Sequence, residues 1–148
     1  LITYFCFINI KNKKMELNKG ESVYLEGGAV YIKKSFGVFQ GTMYITNNRI
    51  VFCKRSGLLN ALLGPLLMHL TKGKTIVFEI PLEKLSKIGI EKHGFAKKYV
   101  FHNSTGDYEY IQFNLNASKW IDAIKSAVQT NVTNVQISQI GELIEFKS

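Results

Sequence analysis

Cysteine and proline are both scarce in this chain. Two cysteines, Cys6 and Cys53, stand among 148 residues. They make no CxxC and no framework of paired spacings, which excludes a secreted disulfide scaffold and predicts a reducing, cytoplasmic setting. Cys53 alternates beside Val51 and reads as a small buried apolar residue. Of the two prolines, Pro81 closes a strand and Pro65 divides an apolar segment. Histidine is equally thin: His69, His93 and His102 lie far apart, none with a partner at metal-ligand spacing, so no metal and no cofactor are expected. There is no GxSxG, no P-loop and no GxGxxG. Glu79, Glu83 and Glu91 are scattered, while Asp107 and Glu109 border a turn and read as solvated. With no nucleophile, base and orienting group in sight, the chain is not expected to be an enzyme. Long apolar runs are missing as well. No stretch reaches the ~18 to 20 residues of a membrane-spanning helix. Residues 1–10 are apolar, but basic residues follow them rather than precede them, which is the wrong order for a signal peptide. Residues 1–14 are read as an N-terminal flank, either an over-extended start before Met15 or a segment that packs incidentally.

What is present is apolar and β-like. The hydrophobic fraction is 46% against 20% charged, the balance of a globular protein of one domain. The net charge is +8, and still +5 without Lys11, Lys13 and Lys14, a surplus that favours an anionic surface. Short alternating runs recur. Residues 21–25 and 29–34 read as two strands around a Gly27-Gly28 turn. Residues 38–46 and 49–55 form a hairpin across Asn47-Asn48, residues tolerant of positive φ. Residues 74–80 end at Pro81, a single helical turn follows, and Ile88 and Ile90 open the next strand. Residues 97–102 and 107–115 pair across the 103–106 turn. The period then lengthens. Trp120, Ile121, Ile124, Ala127 and Val128 fall on one helical face, with Asn116 as its N-cap.

The stretch Gly41-Thr42-Met43-Tyr44-Ile45-Thr46-Asn47-Asn48-Arg49-Ile50-Val51-Phe52 resembles the signature hairpin of the GRAM domain, a branch of the pleckstrin-homology-like superfamily, in its bacterial type. Met43 and Ile45 stand where that family carries leucine, apolar exchanges that a core accepts. The resemblance spans about residues 20–129. It implies a mainly β fold with a C-terminal α-helix: a partly closed antiparallel barrel capped by an amphipathic helix. It also implies a binding module rather than a catalyst. The domain is set at 15–129, with residues 130–148 a linker and the start of a C-terminal helix. In that tail Ile140, Leu143, Ile144 and Phe146 resemble the opening of the short helical module that follows such domains, cut off by the chain end, or equally a terminal helix that docks on this same domain.

One insertion departs from the family pattern. Residues 57–71 carry Leu58, Leu59, Leu62, Leu63, Leu66, Leu67, Met68 and Leu70, rimmed by Lys54, Arg55, Lys72 and Lys74. Such a segment suits an anionic membrane, with leucines at the acyl boundary and cations at the headgroups. It equally suits the domain's own core or a contact between copies. Lys33, Lys34, Lys97 and Lys98 form a second candidate, an anion contact at strand ends. The expectation is a non-catalytic module for membrane-surface, lipid or protein recognition, peripheral at the membrane. The alternative is an oligomerisation or protein-interaction domain using the 57–71 segment or the tail. Nucleic acid is disfavoured, although Tyr99, Phe101, Tyr108 and Tyr110 near Lys97 and Lys98 are the residues that would stack bases.

Overall fold

Alternation along the chain becomes pairing in space. The structure, a computed structural model, describes residues 14–33, 37–54, 74–93 and 96–148. Among these are nine strands: β1 (Val23–Ile32), β2 (Val38–Thr46), β3 (Arg49–Lys54), β4 (Thr75–Pro81), β5 (Leu85–His93), β6 (Ala96–Asn103), β7 (Tyr108–Phe113), β8 (Gln136–Ile140) and β9 (Leu143–Lys147). A helix, α1 (Ala117–Asn131), lies between β7 and β8. All strands join one sheet in the order β4-β3-β2-β1-β7-β6-β5-β9-β8, and every pair is antiparallel. β1 bonds to both β2 and β7 and so links two half-sheets. β4 and β8 remain as edges, so the sheet does not close into a full barrel. A 3-10 turn, Leu82–Lys84, carries the chain from β4 to β5.

The concave face is the core. Met43, Ile45, Ile50, Phe52, Phe78 and Ile80 come from β2–β4; Ile88, Phe101, Ile111 and Phe113 come from β5–β7. α1 closes over them with Trp120, Ile124, Ala127 and Val128. Trp120 stacks on Phe113 with ring centroids 5.3 Å apart. Truncating a side chain of this size in a core costs ~3 to 5 kcal/mol, so α1 is part of the fold and not an appendage. Ile121, expected beside Trp120 in the core, is half-buried at its border. A second, smaller cluster lies on the opposite face of β2–β4: Tyr44, Val51, Cys53 and Ile76, with Met15 against them. The β2–β3 region is therefore buried on both faces.

Four sequence expectations are corrected here. Gly27-Gly28 is not a turn: β1 runs through it unbroken, paired with Met43 and Thr42. A Cβ on Gly27 would lie 3.1 Å from the Trp120 ring, so this glycine serves close packing of the helix on the strand. Asn47-Asn48 does make a two-residue loop, but neither residue has positive φ; among the described non-glycine residues that conformation belongs to Asn116 (φ 53) and Asn134 (φ 60). Asn116 holds the N-cap position without a side-chain bond; its left-handed backbone aims its carbonyl at the amides of Lys119 and Trp120. The largest correction is the tail. Residues 136–147 are a β-hairpin, not the start of a helix. Gly141, at φ +59, and Glu142 form its two-residue loop between Ile140 and Leu143. Ile144 and Phe146 then alternate into the core, while Ile140 and Leu143 stay exposed.

Candidate functional site

The polar residues of the 41–52 hairpin are occupied structurally. Arg49 is 6% exposed. Its Nε donates to Glu21 Oε1 at 2.9 Å, Nη2 donates to Glu21 Oε2 at 3.0 Å and to the Glu16 carbonyl at 2.7 Å, and Nη1 pairs with Glu79. The Thr46 hydroxyl accepts from the amides of Asn48 and Arg49 and lies 2.7 Å from Glu21 Oε1. The Asn47 side chain accepts from Ser22 N–H and donates to the Gly20 carbonyl. Burial opposes the charge on Glu21, but bonds from Arg49, the Asn18 amide and Thr46 outweigh it and hold this carboxyl below its ordinary range. Gly41 is needed because a Cβ there would lie 2.1 Å from the Cys53 carbonyl oxygen. The hairpin is a clamp for residues 16–22.

Four lysines stand at the other end of β2 and β3. Lys54 pairs in register with Thr75, which puts Lys54 and Lys74 at the same end of the sheet, Lys54 on the Phe39 face and Lys74 on the Tyr44 face. Lys54 Nζ sits 4.8 Å from the centroid of the Phe39 ring. Lys74 Nζ donates to the Tyr44 hydroxyl at 2.7 Å and lies 3.3 Å from Thr42 Oγ1. Lys33 stands at the β1–β2 turn, which Phe39 ties to the same end. Lys14, bridged to Thr75 at the β4 edge, adds a fourth cation that the sequence reading left in the N-terminal flank. None of the four has a carboxylate partner among the described residues.

The lysines of β6 differ. Lys97 and Lys98 are consecutive on a strand, so they point to opposite faces. Lys97 Nζ is 2.7 Å from Glu142, and this contact raises the pKa of the lysine and lowers that of the acid. Lys98 Nζ is 3.3 Å from Glu91 and 4.2 Å from the centroid of the Tyr110 ring. Of the four candidate anion contacts, Lys97 and Lys98 are thus each paired with a carboxylate. Tyr99 and Phe101 face the core, and Tyr108 and Tyr110 the outer side, which halves the aromatic surface open to stacking. Glu109 is not simply solvated; it accepts from the Tyr31 hydroxyl at 2.8 Å. Lys34, Arg55, Lys72 and the leucines Leu58, Leu59, Leu62, Leu63, Leu66 and Leu67 lie outside the described residues. Among the described residues no three His, Cys, Asp or Glu side chains gather as a metal site, and no helix is long and apolar enough to cross a membrane. Cys53 is buried, which pushes its thiol up to about 11, far from a reactive thiolate.

No family model matches the sequence, and no curated protein matches it. Solved structures do resemble the fold. The C-terminal domain of an unknown protein from Leishmania infantum aligns with a TM-score of 0.54 at 14% identity, over 75% of this chain and 87% of that one. Autoinhibited Vav1 aligns at 0.52 and 10% identity, over 76% of this chain and 19% of that one. A second Vav1 structure, described for the structural role of its PH and C1 domains, aligns at 0.50 and 10% identity, over 76% of this chain and 27% of that one. The fold is PH-like: an antiparallel sheet, not fully closed, with α1 packed across it.

Proposed function

We propose that this chain is a non-catalytic binding module of the GRAM branch of the PH-like fold, and that it attaches peripherally to anionic membrane at the cytoplasmic side. Attachment uses the end of β1–β4 that carries Lys14, Lys33, Lys54 and Lys74, together with the apolar 57–71 segment. One observation carries the reading. These four lysines stand together at one end of the sheet with no carboxylate partner among the described residues, whereas Lys97 and Lys98 on β6 are both paired. Each lysine near an anionic surface contributes ~1 kcal/mol, so four make a useful but salt-sensitive attraction. Apolar insertion supplies the rest. The GRAM assignment is supported by the 41–52 hairpin, in which Gly41, Thr46, Asn47 and Arg49 each meet a structural need.

The test is vesicle pelleting. Vesicles rich in phosphatidylserine should carry the protein down at low salt, neutral vesicles should not, and raised salt should release it. Lys33→Gln with Lys54→Gln should weaken binding by roughly 30-fold, at ~1 kcal/mol per lysine. Leu62→Ser with Leu66→Ser should abolish binding and leave the melting temperature unchanged. Absence of pelleting on strongly anionic vesicles at low salt sinks the membrane reading. A parent dimer that the leucine variant converts to a folded monomer would favour the interaction-module alternative instead.

A further inference from the structure

We propose that the C-terminal hairpin is exchangeable between two copies of this chain: β8–β9 of one molecule docks on the β5 edge of the other, and reciprocally. β9 is held to β5 by a short register, Lys87↔Glu145 and Ile88↔Ile144, and delivers Ile144 and Phe146 into the main core. Seven strands and the helix precede it in the chain, so the hairpin arrives as a separate piece at an edge that β5 would otherwise leave open. Charge adds one contact between the two pieces: Lys97 meets Glu142 at 2.7 Å and Lys92 also favours the Glu142 charge, while Glu145 pairs with Lys147 of its own strand.

The hinge is residues 132–135. It turns the chain back on itself with Asn134 at φ 60, a left-handed conformation that costs most residues and asparagine less. An exchanged pair keeps every docking contact and lets both hinges extend, so the opposing cost is that of association, which falls with concentration. The occupant of the β5 edge in that state is the β8–β9 hairpin of a second copy. The inference does not rest on the membrane reading.

The experiment uses full chains in a Cys6→Ser background; Cys53 stays, since it is fully buried. One chain carries Lys87→Cys and the other Glu145→Cys. The two are mixed at high concentration, taken through a mild urea cycle and oxidised. The expected product is a disulfide-linked heterodimer joining positions 87 and 145, several-fold richer than either homodimer. Adding Asn134→Val to both chains should shift the exchange toward dimer by on the order of tenfold per hinge, because a β-branched residue resists the closed turn. Cross-links no richer in 87–145 pairs than in 145–145 pairs overturn the proposal. So does a heterodimer yield that Asn134→Val leaves unchanged.

Discussion

The β2–β3 and β8–β9 hairpins are the same motif, two strands around a two-residue loop, held by opposite means. β2–β3 is buried on both faces, and Thr46, Asn47 and Arg49 bond its turn to residues 16–22 and to β4. β8–β9 offers one apolar face to the core, ends at a sheet edge, and holds its loop through a solvent-exposed ion pair. The first hairpin cannot leave without dissolving the fold. The second adds Ile144 and Phe146 to a core that the preceding elements line. What separates them is whether the polar groups of the turn are buried or wet. A buried bond left unpaired is costly, and an exposed one returns to water.

The largest expected effect tests the buried side of this contrast. Arg49→Met leaves Glu21 buried without its cation and should cost ~3 to 5 kcal/mol, read as a shift of the urea midpoint. A loss below ~1 kcal/mol would mean that the clamp on residues 16–22 is dispensable. Next comes Phe146→Ala. A core phenylalanine normally costs ~3 to 5 kcal/mol on truncation. Here the cost should stop at ~1 to 3 kcal/mol, because the hairpin undocks before the remainder unfolds. Native-state hydrogen exchange checks it: β8–β9 amides should exchange well ahead of β2–β3 amides in the variant, and equal protection would break the contrast.

Acid gives a smaller effect with a definite sign. Glu21 has a lowered pKa in the folded chain, against an ordinary value of 4.5, so the unfolded chain takes up this proton first as pH falls. Its stabilisation is complete above 4.5 and is lost as pH falls through the lower, folded value. Midpoints measured between pH 6 and pH 3 should fall, and Glu21→Gln should flatten the fall. A glutamine variant with the full parental slope would move the acid sensitivity to other carboxylates.

The fold was legible where sequence and structure share a period. Met43, Ile45, Ile50 and Phe52 alternate because one face is core, and Trp120, Ile124, Ala127 and Val128 recur as a helix must. Legibility failed where a residue had two uses. Glycine at 27 reads as a turn but serves the Trp120 ring, and asparagine at 116 reads as a side-chain cap but serves through its backbone. The tail failed because Ile140, Leu143, Ile144 and Phe146 satisfy a helical spacing, while Ile144 and Phe146 alone satisfy a strand. Gly141, followed by Glu142, was the signal for a tight loop. Of the candidate site, the sequence identified Lys33, Lys54 and Lys74. It could not identify which lysines are paired, since Glu142 lies 45 positions from Lys97.

The smallest expected effect separates two neighbours on β6. Lys97 and Glu142 are each 55% exposed, and water and salt screen their 2.7 Å contact. Lys97→Ala should leave the urea midpoint unchanged in 0.15 M salt, roughly the ionic strength at which such pairs are screened within ~8 Å. Lys98 is one residue on, with a side chain only 17% exposed, lying against Tyr110 as well as near Glu91. Lys98→Ala therefore removes packing together with charge and should cost ~0.5 to 1 kcal/mol. That cost should persist at 0.5 M salt, because contact with a ring face is screened less than an exposed ion pair. If the two variants behave alike, or if the Lys98 effect vanishes with salt, then Tyr110 adds nothing to this lysine and the two sites differ only in which carboxylate they meet.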